Sequence, residues 1–332
     1  MPVDIIQSLG EIFRSKFLWS GSRHYWVYML GYIAIAFILY QPVKASGKSF
    51  LSFLFPRKIY SHPSVILDFK IWLIIIVIIK LGLFTVIFAG VSIATGLVDN
   101  ALDLLGPAWQ VDRTGEPPGF TDRLLFLIVF TACGDFGFFI MHYIYHRISW
   151  LWAFHKVHHS AEVLTPITAN RHHPIDYLLE ACAAFLMYGV ATTVFTRYHG
   201  IEVDTLTILN VSAIHFIYYM TANLRHSHLW LGFGKWMSCI FISPAMHQIH
   251  HSVAPHHYNK NFGFIFSFWD WIFRTRYIPS EKEELVFGLA NGEAGYTGFF
   301  DSMLRPFKEC FEQIITPGTW LRSNTQDQVT VK

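Results

Sequence analysis

The chain has 332 residues, of which 53% are hydrophobic, 17% aromatic and only 14% charged, with a mean hydropathy of +0.36. A soluble domain carries roughly 25% charged residues to solvate its surface, so this composition excludes a soluble globule and leaves an integral membrane protein. The net charge of +2, with no basic stripe, excludes a nucleic-acid partner, and Cys133, Cys182, Cys239 and Cys310 form no CxxC pair, so neither a disulfide framework nor a zinc ribbon is expected.

In chain order, an amphipathic stretch from Asp4 and Glu11 to Phe17 lacks the features of a signal peptide and reads as an interfacial or soluble helix. Apolar segments follow at Tyr25 to Tyr40, Ile71 to Val98 (interrupted by Lys80), Leu124 to Tyr145, Tyr177 to Phe195 and Thr205 to Met220, the last two reading as a membrane hairpin. The expected fold is an all-α integral membrane protein with four to five transmembrane helices and a cytosolic helical cap. Three regions are expected: an N-terminal membrane and interfacial region over 1–123, a catalytic domain over 124–290, and a C-terminal helix with a disordered polar tail over 291–332, the tail starting at Ser323.

Residues 41–70 carry Lys44, Lys48, Arg57, Lys58 and Lys70, whereas 99–123 carry Asp99, Asp103, Asp112, Glu116 and Asp122 against Arg113 and Arg123. The positive-inside bias therefore places the first loop, and with it the later histidine-rich segments, on the cytoplasmic side of a multi-pass protein.

Of the 18 histidines, all but His24 and His62 fall between residues 142 and 257. Three groups stand out: His142 with His146, His155 with His158 and His159, and His247 with His250 and His251. The i, i+3, i+4 spacing puts each group on one helical face, where imidazoles can converge on a metal. A single interfacial histidine is ordinarily a packing residue, but eight in repeated boxes suit two metals. There is no HExxH element for zinc proteolysis, and structural zinc closes with four ligands. Imidazole sets also suit copper and iron, and iron with open positions activates O2, so a dinuclear, nitrogen-ligated iron site is the physical favourite.

The run from Asp135 to Ser160, then Arg171-His172-His173-Pro174, Ser243 to Ser252, Asn261-Phe262-Gly263 and Trp269-Asp270, resembles the fatty acid hydroxylase / sterol desaturase superfamily over about residues 125 to 290. The resemblance implies a membrane-embedded non-haem enzyme with two Fe ions that uses O2 and two external electrons to hydroxylate or desaturate a lipid drawn from the bilayer. It implies metal ligation by His142, His146, His155, His158, His159, His247, His250 and His251, with His226, and His228 behind it, as further candidates, and His173 as a ligand or an orienting group. Arg274 stands where the family commonly has glycine.

Asp135, the carboxylate placed well within a span, is expected either to hydrogen-bond a ligand imidazole, the preferred reading, or to cap a helix contact, and Asp270 to act likewise near the third box. His256 and His257 are expected as solvent-facing or substrate-gate residues, His199 and His215 as structural residues, and Phe262 to Trp271 as an interfacial aromatic belt. No His-Pro-Gly-Gly haem element occurs, so electrons are expected from a separate cytochrome b5-, ferredoxin- or reductase-type donor. The competing class is a membrane metal transporter or metal-binding sensor.

Overall fold

The structure, a computed structural model, describes residues 10–11, 14–78, 84–106, 117–290, 293–316, 318 and 320–321. Asp4, Lys80, Asp112, Arg113, Glu116 and the tail from Ser323 lie outside the described residues.

The principal helices are α1 (Trp26–Tyr40), α2 (Pro63–Ile78), α3 (Phe84–Asp103), α4 (Phe120–Arg147), α5 (Ser149–His159), α6 (Pro174–His199), α7 (Ala213–Arg225), α8 (Pro244–His250), α9 (Phe268–Ile272) and α10 (Phe299–Ile315). Among the described residues, three helices are long and apolar enough to cross a membrane: Trp26–Ser46, in which a short 3-10 turn extends α1, then α4 and α6. The α4 helix spans about 42 Å at 1.5 Å per residue, more than the roughly 30 Å hydrocarbon layer. The segment from Ile71 to Val98 falls on two helices, α2 and α3, with residues 79–83 between them outside the described set.

The expected span from Thr205 to Met220 is replaced by a two-residue-per-strand antiparallel hairpin that pairs Thr207 with Ser212 and Ile208 with Val211, followed by α7. Leu209 and Asn210 take φ of 51° and 62°, the left-handed pair a two-residue hairpin turn demands. Alternating β-branched residues and the Asn turn outweigh the hydropathy of this segment. The remaining 13 residues of α7 reach only about 20 Å.

The α4 and α6 helices pack closely because Gly134 and Gly137 lack side chains: a Cβ on Gly137 would sit 2.5 Å from the Ala183 carbonyl oxygen. The α6 helix starts with His173 as N-cap and Pro174 in its first turn, and ends at Gly200 with φ 69°. His215 meets the Tyr188 hydroxyl at 2.8 Å, the structural role expected for it.

A buried arginine ties the second histidine helix, α5, to α2. Arg171 donates from Nε to the Val157 carbonyl (3.0 Å), from Nη2 to the Ser160 carbonyl (3.3 Å) and from Nη1 to Asp68 Oδ1 (2.7 Å) on α2. It thereby satisfies carbonyls left open at the C-terminus of α5. On the other side of α5, Lys156 pairs with Glu293 and with Glu309 of α10, and Phe154 meets Phe307 edge-on at 5.3 Å.

Candidate metal centre

The histidine boxes meet at one end of α4 and α6. His142 and His146 project from the last turns of α4, and the chain bends at Ile148 (ψ 116°) so that α5 brings His155, His158 and His159 beside them. The third box rides on α8, whose N-cap Ser243 accepts from Met246 N at 3.3 Å and whose first residue is Pro244. Gln248, inside that box, shares its amide among the carbonyls of Leu224, Ser227 and Leu229 at 2.8 to 3.0 Å. This fixes the turn after α7 that carries His226.

Nine imidazoles gather in two groups, His142, His146, His155, His159 and His250 in one, and His158, His226, His247 and His251 in the other. In the four-membered group the Nε2 atoms face one another: His226 lies 3.2 Å from His158, 3.1 Å from His251 and 3.1 Å from His247, and His251 lies 3.2 Å from His247. In the five-membered group His159 Nε2 lies 3.2 Å from that of His146 and 3.1 Å from that of His250. Two nitrogens each bound to a metal at roughly 2.1 Å, at angles between 90° and 109°, stand about 3.0–3.4 Å apart, so these spacings fit ligands around an ion.

The donor chemistry fits as well. His142 Nδ1 donates to the Phe262 carbonyl at 2.9 Å and His250 Nδ1 to the Lys260 carbonyl at 2.8 Å, leaving a lone pair on each inward Nε2 of the neutral ring. His142 Nε2 is buried and has no hydrogen-bond partner among the described residues. Burial first, then mutual repulsion, holds His158, His159, His247 and His251 well below the usual imidazole range, and burial pushes His250 down to about 3. These rings are therefore neutral and able to ligate at ordinary pH.

Several sequence expectations are corrected. Asp135 touches no imidazole: its carboxylate accepts from Ile265 N (2.6 Å), Phe266 N (3.0 Å) and Trp269 Nε1 (3.1 Å). Asp270 likewise accepts from Phe262 N and Gly263 N, both at 2.8 Å, and from Thr275 Oγ1 at 2.6 Å. Neither is placed to act on substrate. Two buried carboxylates instead clamp the 261–275 loop, because its inward-turned amides need acceptors, and that loop delivers the Phe262 carbonyl to His142. Arg274 keeps the turn left-handed, at φ 60°, without the glycine. Phe262 is fully buried against the His142 and His250 rings, at 5.4 Å from each, so the expected interfacial belt is split: its first residue belongs to the site and Trp271 is exposed.

His228 lies outside both groups, donating to the Phe53 carbonyl at 2.8 Å, because the turn after His226 points it towards the N-terminal helices. His173 also stands apart: its Nδ1 accepts from Ile175 N at 3.2 Å as a helix cap and its Nε2 donates to the Met303 carbonyl at 3.1 Å. His257, expected as a solvent-facing or substrate-gate residue, is buried and pairs with Glu283 at 2.9 Å, while His256 is exposed.

Sequence reasoning missed Asp176, whose two oxygens receive His155 Nδ1 (3.2 Å) and His172 Nδ1 (2.7 Å). A carboxylate behind a ligating imidazole fixes its tautomer and raises its basicity. Its only sequence signal, an acid two residues after the proline of Arg-His-His-Pro, is also the commonest helix-start pattern. His172 stacks on His158 at 4.3 Å. Glu180, a turn beyond Asp176 in α6, is a second carboxylate inside a segment read as a span.

A cavity of about 660 Å³ opens from the histidines, touching His142, His155, His158, His226 and His247, between walls that include Ile75, Ile76, Phe138, Ala184 and Phe185. A smaller opening of about 60 Å³ reaches His146, His159, His250 and His251 beside Tyr258 and Glu293.

Residues 127–275 match the fatty acid hydroxylase family. The chain is similar to an alkylglycerol monooxygenase of Danio rerio (25% identical over 158 residues, 47% of this chain and 31% of that one). It is similar to the ornithine lipid hydroxylase OlsE of Rhizobium tropici (28% over 176 residues, 52% and 47%). It is also similar to a Delta(7)-sterol 5(6)-desaturase of Eremothecium gossypii (27% over 193 residues, 58% and 43%). The chain thus spans less than half the length of each of these relatives, and no solved structure matches it. The histidine boxes fall in the segment that matches the fatty acid hydroxylase family, and the relatives to which the chain is similar are a monooxygenase, a lipid hydroxylase and a sterol desaturase.

Proposed function

We propose that the protein is a multi-pass membrane enzyme that uses O2 and a non-haem di-iron centre to hydroxylate or desaturate a lipid, with its histidine boxes on the cytoplasmic side and electrons from a separate donor. The observation that carries this reading is the pair of converging imidazole groups, nine side chains in all, five of which line one largely apolar cavity. An all-nitrogen donor set of this size exceeds a closed zinc site and suits iron with positions left open.

Bound there, iron would supply the oxidising power that unactivated carbon-hydrogen bonds require. The protein's part is placement and dryness. The Phe262 ring and Trp152, whose ring lies 4.9 Å from that of His146, cover the five-membered group, and the apolar walls admit an acyl or ring system. Transport is the weaker reading, because the imidazoles sit at the ends of α4 and α6 and not midway along them.

The test is turnover in proteoliposomes with a membrane lipid extract, a reductase system and isotopically labelled dioxygen. A lipid alcohol carrying the label, or an alkene formed only when O2 is present, is the expected product. Unchanged lipid together with metal flux across the vesicle would replace this reading by transport.

A further inference from the structure

The wall of the cavity carries charged side chains of both signs. Glu11, Lys16 and Arg23, from the segment before α1, and Glu180, from α6, all line it. Arg23 is fixed there: Asn223 Nδ2 donates to its carbonyl at 2.9 Å, and the preceding turn is closed by Ser22 N to Trp19 O at 3.0 Å and by the Tyr28 hydroxyl on Ser20 O at 2.9 Å. Neither the Arg23 guanidinium nor the Glu180 carboxylate has a hydrogen-bond or ion-pair partner among the described residues, and the two do not pair with each other. An ion that no side chain engages directly is costly in an apolar wall, and a guanidinium and a carboxylate facing one cavity complement a ligand that carries both signs.

Building on the lipid-oxidising function, we propose that this cavity takes a zwitterionic lipid head group, its anionic oxygen (carboxylate or phosphate) at Arg23 and its ammonium at Glu180, so that oxidation falls at or beside the head group. Arg23 lies near the imidazoles: its carbonyl accepts from Asn223 in the last turn of α7, which leads into His226, and both Arg23 and His226 line the cavity. Head group and metal centre therefore share one end of the cavity, with the acyl chains directed away. Arg23 and Lys16 precede the family match at 127–275 whereas Glu180 lies within it, so the proposed anion contact comes from outside the matched segment and the ammonium contact from inside it. The overall reaction is unchanged: a carbon-hydrogen bond becomes carbon-hydroxyl with one atom of O2, and the other leaves as water on two protons and two electrons from the separate donor.

Binding is read without turnover through Trp19 and Trp72, which line the cavity, by quenching with brominated lipids in the full-length, metal-loaded protein. The probes are an aminoacyl lipid (carboxylate and ammonium), phosphatidylethanolamine (phosphate and ammonium), phosphatidylglycerol (phosphate only) and diacylglycerol. Both zwitterions should bind at least about tenfold more tightly than diacylglycerol, and the stronger of them identifies the anionic group. Glu180→Gln should weaken the zwitterions and spare phosphatidylglycerol, and Arg23→Gln should weaken all three charged lipids while Arg23→Lys restores part of the loss. Metal content equal to wild type shows that each variant is folded. Equal binding of diacylglycerol and zwitterions, or variants that bind all four like wild type, would overturn the proposal. Oxidation of neutral lipids with no head-group dependence would also overturn it while leaving the lipid-oxidising function intact, whereas head-group selectivity without oxidation of any lipid would do the reverse.

Discussion

The two imidazole groups are built to different standards. In the five-membered group at least three of the five outer nitrogens are held: His142 by the Phe262 carbonyl, His250 by the Lys260 carbonyl and His155 by Asp176. In the four-membered group the outer Nδ1 atoms of His158, His226 and His247 are buried and have no hydrogen-bond partner among the described residues. Groups that orient a ligand from behind typically contribute 10–100-fold in metal affinity, so the difference separates a preorganised site from a softer one that its ion must order.

The largest effect should come from a residue that serves both groups. Arg171→Met leaves Asp68 buried without its partner and frees the C-terminus of α5, which supplies ligands to each group. Thermal unfolding should register a loss of about 3–5 kcal/mol, with metal lost from both sites alike. If only one site were affected, the two would not share that helix as a common support.

Asp135→Asn should make the tight site resemble the loose one. Losing the charged acceptor of the 261–275 loop should cost about 2–3 kcal/mol and loosen the Phe262 carbonyl from His142. Metal retention in the five-membered group should fall while the other group is spared. Titration with a chelator tests the same asymmetry in the unmodified protein: two release phases are expected, separated by about 10–100-fold in affinity, the first belonging to the site that includes His226. Simultaneous release would mean that the outer hydrogen bonds do not set affinity.

The smallest effect concerns the turn that follows the clamp. Arg274 holds a left-handed φ that costs a side-chain-bearing residue about 1 kcal/mol, so Arg274→Gly should raise stability by up to about that amount without changing metal content. A loss of stability would show that the Arg274 side chain contributes more than its backbone strain costs.

How far the sequence revealed this arrangement follows from the kind of signal each residue leaves. The convergence of the eight box histidines was legible because their spacing puts each box on one helical face, whereas His226, just past the end of α7, was reached only through the family resemblance. His228 was offered beside His226 because a turn of unknown geometry hides which of two neighbouring histidines faces inward. Asp135 showed its importance through burial in a span, but its partners are backbone amides some 130 residues away, which no local pattern records. Asp176 and Glu180 were lost among helix-start and span residues. The hairpin at Thr207 to Ser212 was read as membrane because hydropathy averages over a window in which the Leu209-Asn210 turn decides the path.

The most direct test of the central claim is metal stoichiometry with Mössbauer spectroscopy on protein purified after growth on the Mössbauer-active iron isotope, comparing wild type with His226→Ala and His228→Ala. Two irons per chain with a coupled signal are expected in wild type and in His228→Ala, since His228 faces Phe53, and about one uncoupled iron in His226→Ala. Zinc in place of iron, or equal loss in both variants, would contradict the two-site centre.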